Sequence, residues 1–362
     1  MKSLDIEFLN RQAIPIELSG LLQKLGEFKG RQDLFQCQTP QVLETLKQTA
    51  IIESTESSNR IEGVSIPKER FRELMAHPEK PQNRSEAEIL GYIEVLSRIH
   101  TQPEDFNIDE ATIRKFHKQI YAKTNIRGGE WKKKDNTIEE RLPDGQWITR
   151  FVPVSAAETP YYMKELCSRF NRLWNSSQII SPLLLIPAFV FDFLCIHPFT
   201  DGNGRISRLL NVLLLHQADY TVGKYISIER LIEQSKETYY EVLMKSSQNW
   251  HDGRHSLKAW WEYSLGILIS AYRNLEKRLE EITKLHGAKT GIVQEVINNL
   301  PSRFSMGDVI KSCPGVSRPM LRVVLENMRR QGKIELLCAG RNAMWQKCDN
   351  KTNKCDNKCD NS

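Results

Sequence analysis

Apolar residues recur at helical spacing through TPQVLETLKQTAIIESTESSNRIEG, residues 39–63, where Val42, Leu43, Leu46, Ala50 and Ile51 share a face. Thr39 is placed to cap this helix, and Pro40 falls in its first turn, where a missing N–H costs nothing. Gly63 suits the left-handed residue that closes a helix. The same amphipathic pattern returns in SEAEILGYIEVLSRIH (85–100), DEATIRKFHKQIYAK (109–123) and PYYMKELCSRFNRLWNSS (160–177). LLLIPAFVFDFLCIH (183–197) is apolar almost all round, which predicts a buried central helix. Residues 226–285 continue the helical pattern.

Two stretches depart from it. KKDNTIEERLPDGQWITRFVP (133–153) alternates on either side of Pro143-Asp144-Gly145, which predicts a β-hairpin. An isolated hairpin is marginal as structure and better suited to a flap beside a groove. After residue 288, three short helical patterns (291–301, 305–315 and 316–333) precede a small hairpin at 334–347, the outline of a winged helix-turn-helix. Ser317 is the expected N-cap of its last helix and Gly332 the residue that ends it.

With 40% hydrophobic and 27% charged residues, the chain reads as globular rather than disordered, and no apolar run reaches membrane-spanning length. The N-terminus lacks a basic-then-apolar secretory pattern, so a cytoplasmic address is expected. Cys37, Cys167, Cys195, Cys313 and Cys338 stand singly among apolar neighbours, as reduced thiols do. Cys348, Cys355 and Cys359 lie in a thrice-repeated KCDN tail, read as a low-complexity end or a holder of a soft metal. The net charge of +6 is local: residues 289–347 hold ten Lys and Arg against four Asp and Glu. Arg318, Arg322, Arg329 and Arg330 decorate the last helix, with Arg341 at the wing tip. This charge fits a DNA reader and a protein-docking or dimerising module equally.

The candidate chemistry is concentrated in CIHPFTDGNGRISRLLNVLLLH (195–216). Gly202 and Gly204 allow turns that other residues resist and permit close approach to a ligand. The free N–H groups of the following helix, and Arg205 and Arg208 one turn apart, make a polyphosphate site. Asp201 would be repelled by such an anion unless Mg²⁺ lay between them. Asn203 can donate to a phosphate oxygen, and Phe199 can anchor the loop. A neutral imidazole at His197 can take a proton from an incoming hydroxyl. His117 and His216 are expected to be structural.

HPFTDGNGRISR, His197 to Arg208, resembles the Fic family signature HxFx(D/E)GNGRxxR at every specified position. With the flap and flanking helices, the resemblance covers roughly residues 40–270. It implies a mainly α fold: a Fic-type helical core with a β-hairpin flap, joined to the C-terminal winged helix-turn-helix. The expected divisions are an N-terminal helical region (1–85), a catalytic core (86–225), a helical extension (226–287), the winged helix (288–347) and a disordered tail (348–362).

The resemblance also implies a protein adenylyltransferase that moves AMP from ATP to a Tyr, Thr or Ser hydroxyl of a target protein. His197 would be the general base and Asp201 the Mg²⁺ ligand. Gly202, Asn203 and Gly204 would cradle the phosphates, and Arg205 and Arg208 would grip the β and γ phosphates. Asn136, Thr137, Ile138 and Glu139 of the flap would lie over the nucleotide and hold the target segment. Tyr239 and Tyr240 match the family's adenosine-pocket pair, or else pack in the core. Near Ser247, where the family has asparagine, this sequence departs. The partners implied are a target protein, the chain itself as acceptor, and a second copy in a homodimer, with no membrane. The other function class is a nucleotide-sensing regulator that binds DNA through the winged helix.

Glu62 ends its helix, where the dipole disfavours a carboxylate. Ser58 to Gly63, SSNRIEG without its first residue, is similar to the family's inhibitory motif (S/T)xxxE(G/N). That likeness implies that Glu62 pairs with Arg208 and fills the γ-phosphate position.

Overall fold

The structure is a computed structural model. It describes residues 2–38, 40–76, 81–141, 145–176, 180–284, 288–313, 316–338, 340 and 343–348. Helices α1 (Ile6–Arg11), α2 (Ile16–Gln38), α3 (Pro40–Ile61) and α4 (Lys68–Ala76) lead into α5 (Arg84–Thr101) and α6 (Glu110–Ile120). Strands β1 (Ile138–Arg141) and β2 (Trp147–Phe151) follow, then α7 (Thr159–Asn175), α8 (Pro182–Ile196) and α9 (Asn203–Gln217). Next come α10 (Ile228–Gln234), α11 (Lys236–Ser247) and the long α12 (Lys258–Lys284). The chain closes with α13 (Ala288–Asn299), β3 (Arg303–Ser305), α14 (Met306–Ser312), α15 (Arg318–Arg330), β4 (Ile334–Cys338) and β5 (Met344–Lys347). The fold is mainly helical, as expected.

Helix α8 is the centre. Residues 183–196 are all buried, and α7, α9 and α12 pack around them. Pro187 sits inside the helix, where a proline removes a backbone donor. In the turns around it, the indoles of Trp260 and Trp261 donate to the Pro187 and Leu184 carbonyls at 2.8 and 2.9 Å, fastening α12 to α8. Asp192 is the one acid in this run. Ser3 and Trp250 donate to it at 2.5 and 2.6 Å, and Ser3 also meets His255 at 2.8 Å. Burial raises its carboxyl to about 6, against the pull of those donors. The N-terminal segment is thereby pinned to the core, a contact that no local pattern announces.

The hairpin forms where alternation predicted it. Ile138 pairs with Phe151 and Glu139 with Thr149, with a bulge between Ile138 and Glu139. Gly145 has φ +88°, while Pro143 and Asp144 lie outside the described residues.

Residues 288–348 have a separate core built from Val293, Ile297, Phe304, Leu321, Val324 and Trp345, among others. The strand order β3-β5-β4 is antiparallel throughout. Ser305 and Asp308 form a capping box at α14. Ser317 stands at the N-cap of α15, as expected, although its side chain makes no capping bond. Gly332 closes α15 at φ +69°, with Lys333 N–H donating to Met328 O at 3.0 Å. Helix α13 packs on α3, where the Asn299 amide donates to the Thr49 hydroxyl at 2.9 Å. Thr39, Arg341, Cys355 and Cys359 lie outside the described residues, as does all of the tail beyond Cys348. Among the described residues, no helix is long and apolar enough to cross a membrane.

Candidate active site

Helix α8 ends at His197, which takes the left-handed conformation at φ 51° and ψ 61° while its N–H donates to Phe193 O. A residue with a Cβ pays about 1–2 kcal/mol for that conformation, so the surrounding packing must hold it. The His197 Nδ1–H faces Leu194 O at 3.4 Å, which leaves Nε2 as the unprotonated nitrogen. Burial, the largest cause, together with Lys132 lowers its pKa to about 4 against the opposing Leu194 carbonyl, Glu62 and Asp201. The imidazole is therefore neutral at pH 7.

The turn after His197 is held by three devices. Phe199 is fully buried and stacks on His117, with ring centroids 3.8 Å apart. His117 Nδ1 accepts from Gly129 N–H at 2.8 Å, so its Nε2–H donates to Asp201 O at 3.0 Å. Asn203 spends its amide on Phe199, accepting from N–H at 2.9 Å and donating to the carbonyl at 2.8 Å. This corrects the expectation that the Asn203 side chain reaches a phosphate: it ties the loop into a closed turn. Gly202, at φ +82°, is required by its conformation, and a Cβ there would sit 3.0 Å from the Tyr121 hydroxyl. His117 is structural as expected. So is His216, buried with Nε2 2.9 Å from His100 Nδ1.

Asp201 is 53% exposed and faces the mouth of the site. One oxygen accepts from Gly202 N–H at 2.6 Å, and the other meets the Arg84 guanidinium at 3.2 Å. Among the described residues no cluster of three or more His, Cys, Asp or Glu is placed to hold a metal.

Helix α3 ends in a Schellman turn. Gly63 N–H donates to Arg60 O and Val64 N–H to Asn59 O, with Gly63 at φ +77°. That turn projects Glu62 onto the first turn of α9. Arg208 Nη2 donates to Glu62 Oε1 at 2.8 Å, while the same guanidinium holds the Ser58 hydroxyl at 2.8 Å and the Ser58 carbonyl at 2.9 Å. A Cβ on Gly204 would collide with the Glu62 carboxylate. The carboxylate thus lies against the backbone where α9 offers free N–H groups. Burial, the largest single cause, would lower the Arg208 pKa, but Glu62 together with Tyr239 and Tyr92 raises it above the usual arginine value.

Arg205 has partners that the sequence reading did not foresee. It is 0% exposed and turned inward: Nη1 pairs with Glu88 at 2.5 Å and Nη2 donates to the Tyr121 hydroxyl at 2.6 Å. Nη2 also lies 3.8 Å from Asp201 Oδ1, and the i, i+3 spacing to Arg208 revealed none of these partners. Removing one partner of a buried pair costs roughly 3–5 kcal/mol. Arg205→Met is therefore expected to lower the melting temperature strongly, visible by calorimetry, rather than to act chiefly on nucleotide affinity.

Asn136 is held by the Lys132 ammonium at 2.8 Å, and the Thr137 hydroxyl donates to Glu139 at 3.2 Å. Both Asn136 and Thr137 precede the strand, whereas Ile138 and Glu139 lie in it. Tyr239 is buried against Trp260 and Tyr263, and it lines an apolar cavity together with Arg208. Tyr240 is 43% exposed and meets Tyr239 edge to face at 5.2 Å. The Ser247 hydroxyl donates to Met244 O at 3.0 Å. Cys167, Cys195 and Cys313 are free and buried, whereas Cys338 and Cys348 are free and exposed.

Four groups escaped the sequence reading: Arg84, Glu88, Tyr121 and Lys132. Glu88 alone carried a signal, as an acid beside the apolar Ile89 and Leu90 of α5.

A helical body with a neutral histidine facing a helix N-terminus filled by an internal carboxylate is the class of site defined here. Residues 107–215 match the model of the Fic/DOC family, a stretch that includes the His197 loop but not Glu62. The chain is 29% identical over 137 residues to protein adenylyltransferase Fic of Drosophila melanogaster, covering 37% of this chain and 25% of that one. It is 27% identical over 167 residues to the Aedes aegypti protein of the same name, covering 44% and 29%. It thus spans between a quarter and a third of the length of these curated relatives. A Fic family protein from Desulfovibrio desulfuricans has a similar fold, with TM-score 0.58 and 20% identity over 95% of this chain and 98% of that one.

Proposed function

We propose that the chain is an autoinhibited protein adenylyltransferase that moves AMP from ATP to a hydroxyl of a target protein. The observation that carries this is the Glu62 carboxylate seated between Arg208 and Gly204, at the mouth of α9. An internal anion on an arginine and free backbone amides marks a place where an external anion binds. The neutral His197 beside it supplies a base, and the Fic/DOC match and the adenylyltransferase relatives support the reaction class.

In this reading the target hydroxyl gives its proton to His197 Nε2 as its oxygen bonds to the α-phosphorus. The bond from that phosphorus to the β-phosphate oxygen breaks, and pyrophosphate leaves. Arg208, freed from Glu62, and the α9 amides neutralise the growing charge. Asp201 would hold a Mg²⁺ ion, because its carboxylate is half exposed at the mouth, where the ion would take an oxygen from Arg84. When bound, the ion would neutralise phosphate charge. The flap residues 136–139 would hold the target segment, and Tyr240 the base end of the nucleotide. The test mixes Glu62→Gly protein, Mg²⁺ and each nucleoside triphosphate with lysate and reads adduct masses. Adducts other than AMP would overturn the assignment.

One observation favours DNA for the C-terminal module. Arg318 and Arg322 are exposed one turn apart on α15 with no carboxylate in ion-pair range among the described residues, whereas Arg329 and Arg330 share Glu326. A random duplex should shift in a gel, less so as salt rises, and Arg318→Ala with Arg322→Ala should weaken the shift. No retardation at low salt removes this reading.

A further inference from the structure

Lys132 lies in the segment between α6 and the flap and is only 4% exposed. Its backbone N–H donates to Pro198 O at 2.8 Å, and its ammonium faces Ile196 O at 3.3 Å and Asn136 Oδ1 at 2.8 Å. The carbonyls on either side of His197 are therefore both held by one residue, which also grips the first flap residue. Trp131, its neighbour, packs on Phe199 with centroids 5.0 Å apart. No carboxylate among the described residues lies within ion-pair range of the ammonium, although Asp135 acts on it from further away.

Burying an ammonium without a paired anion is costly, so its placement calls for a reason. We propose that Lys132 is the positioning residue for His197: it fixes the backbone on both sides of the base from the flap side and presents a buried positive charge towards the imidazole. The proposal rests on the reading of His197 as the base.

The charges that act on His197 come from three places: Lys132 before β1, Glu62 at the end of α3, and Asp201 in the loop before α9. The two acids favour the imidazolium, and Lys132 is the cation that opposes them. Burial lowers the Lys132 pKa to about 8, so it stays charged throughout the range in which His197 titrates. The sign follows. Without that charge the imidazolium becomes easier to form, the His197 pKa rises, and activity at its acidic limb falls.

The experiment uses the full chain in the Glu62→Gly background and follows His197 by NMR titration, together with the pH profile of kcat/KM. Lys132→Gln keeps a donor without the charge, and Lys132→Arg keeps the charge. Lys132→Gln should move the His197 titration and the acidic limb upward by about one unit, a loss of up to tenfold below both pKa values. Lys132→Arg should leave both near the parent. A titration that Lys132→Gln leaves in place, or that Lys132→Arg moves as far as Lys132→Gln does, overturns the proposal. If the titration moves as expected while the rate profile has no acidic limb, the reading of His197 as the base fails, and the hold of Lys132 on it stands.

Discussion

Glu62→Gly raises the transfer of nucleotide to protein by roughly tenfold to a hundredfold at limiting ATP. The size follows from the contact it removes. A hydrogen bond to a charged group is worth about 1.5–3 kcal/mol, and Glu62 makes one with Arg208 at 2.8 Å while only 24% exposed. The carboxylate also covers the Gly204 backbone, so its loss frees the amides of α9 as well as the guanidinium. Glycine suits the position because Glu62 closes a Schellman turn whose left-handed residue, Gly63, remains in place. The remaining anchors of α3 stay intact: Arg230 and Arg278 hold Glu53, and Arg60 holds Glu233 at 2.6 Å. The measurement is labelled-ATP transfer to protein, wild type beside variant. Equal labelling would sink autoinhibition.

His197→Ala abolishes transfer, a loss of about 10²–10⁴ if only the base is removed. Three features make this an effect on chemistry rather than on folding. The imidazole is neutral, so no ion pair is lost with it. Its one side-chain hydrogen bond among the described residues is the long one to Leu194 O at 3.4 Å. The turn itself is held by Phe199, His117 and Asn203. Melting temperature and ATP affinity should therefore stay near those of the parent while the rate collapses. Transfer that survives His197→Ala in the Glu62→Gly background would remove His197 from the mechanism.

Most of the helices were legible because amphipathic period is a local property. The hydrophobic run at 183–197 announced a central helix, and alternation around 138–151 announced the hairpin. The candidate site was legible in part. His197, Asp201, Gly202 and Gly204 are contiguous, and their residue types carry a turn, a base and an anion mouth together. The pairing of Glu62 with Arg208 was expected from a motif likeness, and the geometry places the two at 2.8 Å. Ser58 supplies two more acceptors to the same guanidinium.

Other details depended on what the rest of the chain brings to the loop. Arg205 and Arg208 look equivalent in sequence, one helical turn apart. Glu88 on α5 and Tyr121 after α6 draw the first inward, while Ser58 and Glu62 on α3 take the second. Asn203 looks like a phosphate donor until Phe199 folds back over it. Lys132 reads as one of three consecutive lysines, and nothing local distinguishes the one that enters the core beside Ile196 and Pro198.

By itself the sequence determined most of the helices, the flap and the chemistry-bearing loop, because periodicity, turn residues and contiguous motifs act within a few residues of chain. Only the tertiary structure decided which partners Arg205 and Arg208 each take and which lysine is buried. Those outcomes depend on partners some 60 to 150 residues away in the chain, whose charges and hydrogen bonds local pattern does not encode.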